Sequence, residues 1–221
     1  MAILVKICGI NTPEAADAAL RAQADFAGLM MHPKSPRHVA PEQAASLAAR
    51  LRGRIRLAAV LVDPSDEALA AALAAAKPDF IQLHGFETPA RVAAVRAHFG
   101  VAVIKVIPVA EPSDLADVAR YEDAADMLMF DAKPPPGAAR EGGLGAAFDW
   151  QILKGRKFSR PWLLAGGLTA ENVARAIRLT EAPGVDVSSG VETAPGRKSP
   201  ELIAEFTAAA KSAHFASESR T

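Results

Sequence analysis

The most constraining feature of the chain is an alternation. Short apolar runs, at residues 3–7, 25–30, 55–62, 79–83, 101–107, 126–130, 161–165 and 184–187, are separated by Ala-rich segments with helical spacing. Runs this short and this continuously apolar read as strands buried on both faces, the signature of a parallel sheet covered by helices. Helices are predicted from residue 12 and over 41–51, 66–76, 88–98, 113–120, 169–179 and 199–211. Three of them open on a hydroxyl residue followed by proline: Thr12-Pro13, Thr88-Pro89 and Ser199-Pro200. The hydroxyl is a good N-cap, and proline's fixed φ suits the first helical position.

Roughly eight strand–helix units in one direction predict a single (β/α)8 TIM barrel with eight parallel strands, occupying residues 1–211. An open doubly wound sheet is the competitor, but it usually has fewer units and a Gly-rich turn near its start. Here the Gly-rich turns, at 142–145 and 166–167, come late. Residues 212–221 are polar and are expected to fray.

Composition narrows the function. The 25 basic side chains balance 25 acidic ones for a net charge of +0, so neither a nucleic-acid partner nor an anionic membrane surface is expected. Cys8 is the only cysteine, which rules out an intramolecular disulfide and suits a reducing compartment. No run reaches the roughly 18 apolar residues of a membrane helix, and the N-terminal run is too short for a signal segment. A cytoplasmic location is expected. Barrels of this kind occur as monomers or homodimers, and either state fits the sequence.

In such barrels chemistry sits at the C-terminal ends of the strands. Cys8 ends the first, His84 follows the fourth, and Asp131 ends the sixth. Gly166-Gly167 follows the seventh, and Ser188-Ser189-Gly190 the eighth. These last two loops read as a phosphate site, because glycine lets backbone N–H groups approach an anion and barrels often bind phosphate there. A tight turn would also explain the glycines. Cys8 alone reads equally as a small buried apolar group. Facing Asp131 across the rim, it becomes a candidate base, with the carboxyl as acid. Arg37, after strand two, has a fork suited to a carboxylate, although most arginines are solvated surface groups. No pair among His32, His38 and His98 has convincing metal-ligand spacing, so no metal is expected.

At these residues the chain resembles the phosphoribosylanthranilate isomerase family of tryptophan biosynthesis. The resemblance spans nearly the whole length. It runs through Lys6-Ile7-Cys8-Gly9-Ile10, Ser35-Pro36-Arg37, Gln82-Leu83-His84-Gly85, Phe130-Asp131, Gly142-Gly143-Leu144-Gly145 and Phe148-Asp149-Trp150. It continues through Leu164-Ala165-Gly166-Gly167-Leu168, the segment from Gly184 to Glu192, and Pro195-Gly196-Arg197-Lys198. The resemblance implies a cofactor-free barrel acting on a small phosphorylated substrate by an Amadori rearrangement. It implies Cys8 as general base and Asp131 as general acid. It further implies Arg37 on the substrate carboxylate, His84 and Asp186 lining the site, and Gly166, Gly167, Ser188, Ser189 and Gly190 around the phosphate. Many relatives carry threonine where Leu144 stands, so no side-chain contact is expected from that position. The Pro- and Gly-rich loop at 132–147 is expected to close over the substrate and exclude water. Two other readings share the phosphate loops: another sugar-phosphate enzyme of the same barrel class, and a non-catalytic metabolite-binding barrel.

Overall fold

The computed structural model describes residues 2–133 and 147–218. The prolines at 134–136, the glycine-rich stretch at 142–145 with Leu144, and hence the predicted closing loop lie outside the described residues, as do residues 219–221.

Eight strands close into a barrel in sequence order: β1 (Leu4–Cys8), β2 (Phe26–Met30), β3 (Arg56–Leu61), β4 (Phe80–Leu83), β5 (Ala102–Val109), β6 (Met127–Ala132), β7 (Trp162–Leu164) and β8 (Gly184–Val187). Each pairs in parallel with the next, and β8 returns to β1 with Lys6 opposite Asp186. The predicted (β/α)8 architecture is what the chain adopts. Side chains alternate across each strand, so every strand feeds two apolar layers. One layer fills the barrel with Phe26, Ala58, Ile104, Val106, Met127, Met129, Leu163 and Ala165. The other packs the outer face of the sheet on the helices, through residues such as Val5, Ile7, Leu57, Ile81, Val103, Leu128 and Val185.

The helices are α1 (Pro13–Arg21), α2 (Pro41–Leu51), α3 (Asp66–Ala76), α4 (Pro89–Phe99), α5 (Val118–Ala124), α6 (Val173–Thr180) and α7 (Pro200–Glu218). Their starts follow the sequence signals. Thr12 accepts from the Ala15 N–H, Thr88 from Arg91 and Ser199 from Leu202, each at 3.2 Å. Below the barrel, Asp25, Asp79 and Asp126 stand just before β2, β4 and β6. Each accepts the backbone N–H of a residue in the preceding strand, namely Val5, Leu57 and Val103, at 2.7–2.9 Å.

Four differences from the sequence-based expectation stand out, and the first two have a local physical cause. The helix expected at 113–120 divides into a 3-10 turn (Pro112–Leu115) and α5, because the Asp114 carboxylate accepts the N–H groups of Ala110 and Glu111 and turns the chain early. α6 starts four residues later than expected. Asn172 caps the preceding turn, accepting from the Thr169 N–H and donating to the Gly167 carbonyl, each at 2.9 Å. α7 continues to Glu218, beyond its expected end and into the segment expected to fray. After β8 the chain makes an unpredicted 3-10 turn (Ser189–Val191) and a small antiparallel hairpin, β9 (Glu192–Ala194) with β10 (Arg197–Lys198), before entering α7.

Candidate active site

The alternation that builds the barrel also aims the reactive side chains. Cys8 lies on the same face of β1 as Leu4 and Lys6, and Asp131 on the same face of β6 as Met127 and Met129, so both belong to the inner layer at the strands' C-terminal ends. Around this rim the inward-facing residues form two polar groups.

The first joins β1 to β8. Lys6 is fully buried, and its Nζ donates to Asp186 Oδ1 at 2.6 Å. A Cβ built on Gly28 would stand 3.0 Å from Cys8 Sγ and 3.1 Å from Lys6 Nζ, so the thiol and the ammonium are at most about 6 Å apart. Burial works against the Lys6 charge, but Asp186 and Cys8 together outweigh it, leaving its pKa above the ordinary lysine value. Burial also pushes the Cys8 thiol up, and Asp186 adds to that; Lys6 and Lys198 offset it only in part.

The second group joins β4 to β6. His84 Nε2 lies 3.2 Å from Asp131 Oδ2, and the other carboxylate oxygen accepts the Ala132 N–H at 2.8 Å. Behind the ring, Gln82 Nε2 is 3.2 Å from His84 Nδ1. The loop carrying His84 is braced from outside the barrel. Glu87 accepts from the N–H groups of Asp63 and Gly85 and from Lys105 Nζ at 2.6 Å, and Lys105 also donates to the Gly85 carbonyl.

Arg37 is not the solvated residue arginine usually is; it is 4% exposed. Its Nε and Nη2 donate to the two Glu192 oxygens at 2.7 and 2.8 Å. Lys198 Nζ joins the same carboxylate at 2.8 Å and donates to the Ser188 carbonyl at 2.9 Å. Burial works against the Glu192 charge, yet Arg37 and Lys198 outweigh it and hold its pKa below the ordinary carboxylate value. One edge of the arginine fork is therefore satisfied within the protein. Among the described residues Nη1 has no recorded partner.

The glycine loops meet as the sequence suggests. Gly166 and Gly167 have φ of 87° and 62°, the left-handed region that favours glycine. A Cβ on Gly166 would strike the Ala132 N at 2.8 Å, and one on Gly190 would lie 1.9 Å from the Leu168 carbonyl oxygen. The loops after β7 and β8 are thus in direct contact. Among the described residues, no protein acceptor is recorded for the N–H groups of Gly166, Gly167, Ser189 or Gly190. Ser188 is different: its hydroxyl donates to the Cys8 carbonyl at 3.2 Å, so it ties β8 to β1.

Cys8, Arg37, His84, Asp131, Gly166, Gly167, Ser188, Ser189 and Gly190 therefore stand at the C-terminal ends of the strands or in the loops after them, and Asp186 lies deeper, within β8 opposite Lys6. Sequence reasoning missed Lys6, Gln82, Glu87, Lys105, Glu192 and Lys198. Two of these carried a signal: Lys6 and Lys105 interrupt otherwise apolar strand runs, and a lysine on a buried strand needs a partner.

The family model for N-(5'phosphoribosyl)anthranilate (PRA) isomerase matches residues 5–209. The N-(5'-phosphoribosyl)anthranilate isomerase of Azorhizobium caulinodans is 54% identical over 98% of this chain and 95% of that protein. The crystal structure of the Thermotoga maritima phosphoribosyl anthranilate isomerase superposes with a TM-score of 0.86 at 32% identity, covering 95% of this chain and 99% of that one. A phosphoribosyl anthranilate isomerase in complex with reduced 1-(o-carboxyphenylamino)-1-deoxyribulose 5-phosphate gives a TM-score of 0.81 at 30% identity, with coverage of 95% and 99%.

Proposed function

The chain belongs to the N-(5'-phosphoribosyl)anthranilate isomerase family, and we propose that Cys8 and Asp131 are the base and acid of its reaction. The enzyme catalyses the Amadori rearrangement of N-(5-phospho-β-D-ribosyl)anthranilate to 1-(2-carboxyphenylamino)-1-deoxy-D-ribulose 5-phosphate, a step of tryptophan biosynthesis.

The roles follow from the chemistry. Asp131, carrying a proton, gives it to the ribose ring oxygen. The C1–O bond breaks, and the anthranilate nitrogen lone pair forms a C1=N bond. The Cys8 thiolate then removes the C2 proton, and that electron pair becomes the C1–C2 double bond of an enolamine, which tautomerises to the ketone. The substrate's own nitrogen supplies the push for ring opening, so the steps call on no cofactor. Lys6 stands beside the thiol as a permanent cation, because Asp186 keeps it protonated. It stabilises the thiolate that burial disfavours. The unclaimed N–H groups of Gly166, Gly167, Ser189 and Gly190 hold the phosphate, and Ser188 keeps that loop on β1. Arg37, already fixed by Glu192, offers Nη1 to the anthranilate carboxylate. His84 and Asp186 complete the lining.

The single observation supporting this reading is the placement of Cys8 and Asp131 on the inner face at the same end of the barrel, each with its own polar neighbour. The test follows the anthranilate fluorescence of the substrate with purified parent, Cys8→Ala and Asp131→Asn proteins, while binding of a reduced product analogue is measured separately. Retained binding with lost turnover supports the pair. Parent-like turnover in either variant removes that residue from the mechanism. We place this activity in the cytoplasm, in a monomer or homodimer, consistent with the single unpaired cysteine. No helix among the described residues is long and apolar enough to cross a membrane.

A further inference from the structure

Gln82 is fully buried inside the barrel, yet its amide serves only one clear partner. Its Nε2 is 3.2 Å from His84 Nδ1 and 3.7 Å from Met129 Sδ, a weak acceptor. Among the described residues, its Oε1 is buried with no hydrogen-bond partner. An unpaired buried carbonyl oxygen is uncommon and calls for an explanation. On the far side of the same ring, His84 Nε2 is 3.2 Å from Asp131 Oδ2. Amide, imidazole and carboxyl therefore form one chain.

That chain restricts where protons can sit. A neutral imidazole carries one N–H and one bare nitrogen. With the amide NH2 facing Nδ1, Nδ1 must be bare. The ring proton is then on Nε2 and is donated to Asp131 Oδ2, while the other oxygen accepts the Ala132 N–H. In this setting the oxygen that faces the ring serves only as an acceptor. Turning the amide by half a rotation puts Oε1 where Nε2 stood. Oε1 accepts from Nδ1–H, the imidazole Nε2 is bare, and it accepts from a protonated Asp131. In the second setting the Asp131 oxygen that faces the ring is the donor and Nε2 the acceptor. The orientation of the amide thus decides whether the imidazole donates to Asp131 or accepts from it.

We propose that Gln82 is a positioning residue that sets which nitrogen of His84 is protonated, and so whether the imidazole donates to Asp131 or accepts from it. The proposal rests on the reading of Asp131 as the acid. Its test reads the imidazole directly, in long-range proton–nitrogen spectra of the 15N-labelled full-length, substrate-free enzyme at neutral pH, with His84→Asn assigning the signal. The parent shows His84 protonated on Nε2. Gln82→Glu, whose carboxylate can only accept, shows Nδ1 protonated. Gln82→Met, which can neither donate nor accept strongly, shows a mixture. In both variants kcat falls by at least about tenfold, the lower part of the range for proton-transfer groups, with KM little changed. Parent-like protonation of His84 in both variants overturns the proposal, as does kcat within twofold of the parent in both. Should Gln82→Glu fail to fold, Gln82→Met alone decides between these outcomes. Turnover retained in Asp131→Asn would instead remove the acid assignment, and the imidazole spectra would still report whether Gln82 sets the tautomer.

Discussion

The two ends of the barrel use the same side chain for opposite work. At the N-terminal end, Asp25, Asp79 and Asp126 each clasp a backbone N–H of the preceding strand. At the C-terminal end, Asp131 faces an imidazole and Asp186 an ammonium. A carboxylate bonded to a peptide N–H fixes geometry, since that proton never leaves. Asp131 faces an imidazole, whose proton can move, and Asp186 holds a buried ammonium beside the thiol, so each carboxylate acts on a charge rather than on the backbone alone. What separates a brace from a reagent here is the acidity of the partner.

The sharpest way to break that contrast is at the reagents. Asp131→Asn and Cys8→Ala should each lower kcat by at least about a hundredfold, the scale of a lost general acid or base, with analogue binding and melting temperature nearly unchanged. Cys8→Ser should be almost as poor, because a hydroxyl ionises far less readily than a thiol. The pH dependence sharpens the same point. The Cys8 pKa is pushed up, and its base form is the proton-free one. So the rate of Cys8 alkylation, which needs only the thiolate, should climb through and beyond pH of about 8.5, the ordinary thiol value. An alkylation rate that levels off below that pH would show that burial does not hold the thiol up.

Arg37 belongs to both categories, which makes it a stringent case. Arg37→Ala leaves Glu192 and Lys198 buried with an unbalanced partner set, and stability should fall by about 3–5 kcal/mol on chemical denaturation. Among molecules that remain folded, the native substrate should suffer far more than an analogue lacking the carboxylate. Equal losses on both would make Arg37 a brace only. Gly167→Val, at a backbone φ of 62°, should raise KM for substrate and weaken inorganic phosphate binding by at least about tenfold, with kcat changed little. Unchanged phosphate affinity in a folded variant would move the phosphate elsewhere. The smallest effect belongs to the opposite end. Asp25→Ala should lose about 1–2 kcal/mol of stability and leave kcat and KM at parent values. A comparable fall in turnover would blur the distinction between the two ends.

Much of this was legible in the sequence because barrel and site obey one rule. Alternating side chains on short strands identify the sheet, and the strand ends identify the rim, so Cys8, His84 and Asp131 could be placed before any coordinates. Helix starts were legible where a hydroxyl and a proline mark them, at Thr12-Pro13 and Ser199-Pro200. They were not legible where a side chain folds back on its own turn, as Asp114 and Asn172 do. The braces were hidden for another reason. Glu192 and Lys198 lie in a hairpin with no strand-like pattern, and they meet Arg37 from 155 residues away in the case of Glu192. Pairings at such separations depend on closure of the whole barrel, which no local window contains.

That closure bears on when the protein becomes an enzyme. Lys6 reaches Asp186 and Ser188 reaches Cys8 across 180 positions each, and Asn11 reaches the Gly196 carbonyl across 185. A nascent chain that has released only its first seven strands owns the thiol and the acid. It lacks the counter-charge that keeps Lys6 protonated, and it lacks the second phosphate loop. Long-range contacts of this kind also form late, because the intervening chain must first be ordered. Activity therefore reports arrival of the final strand at the first, and catalytic competence during refolding should trail the gain of helical signal.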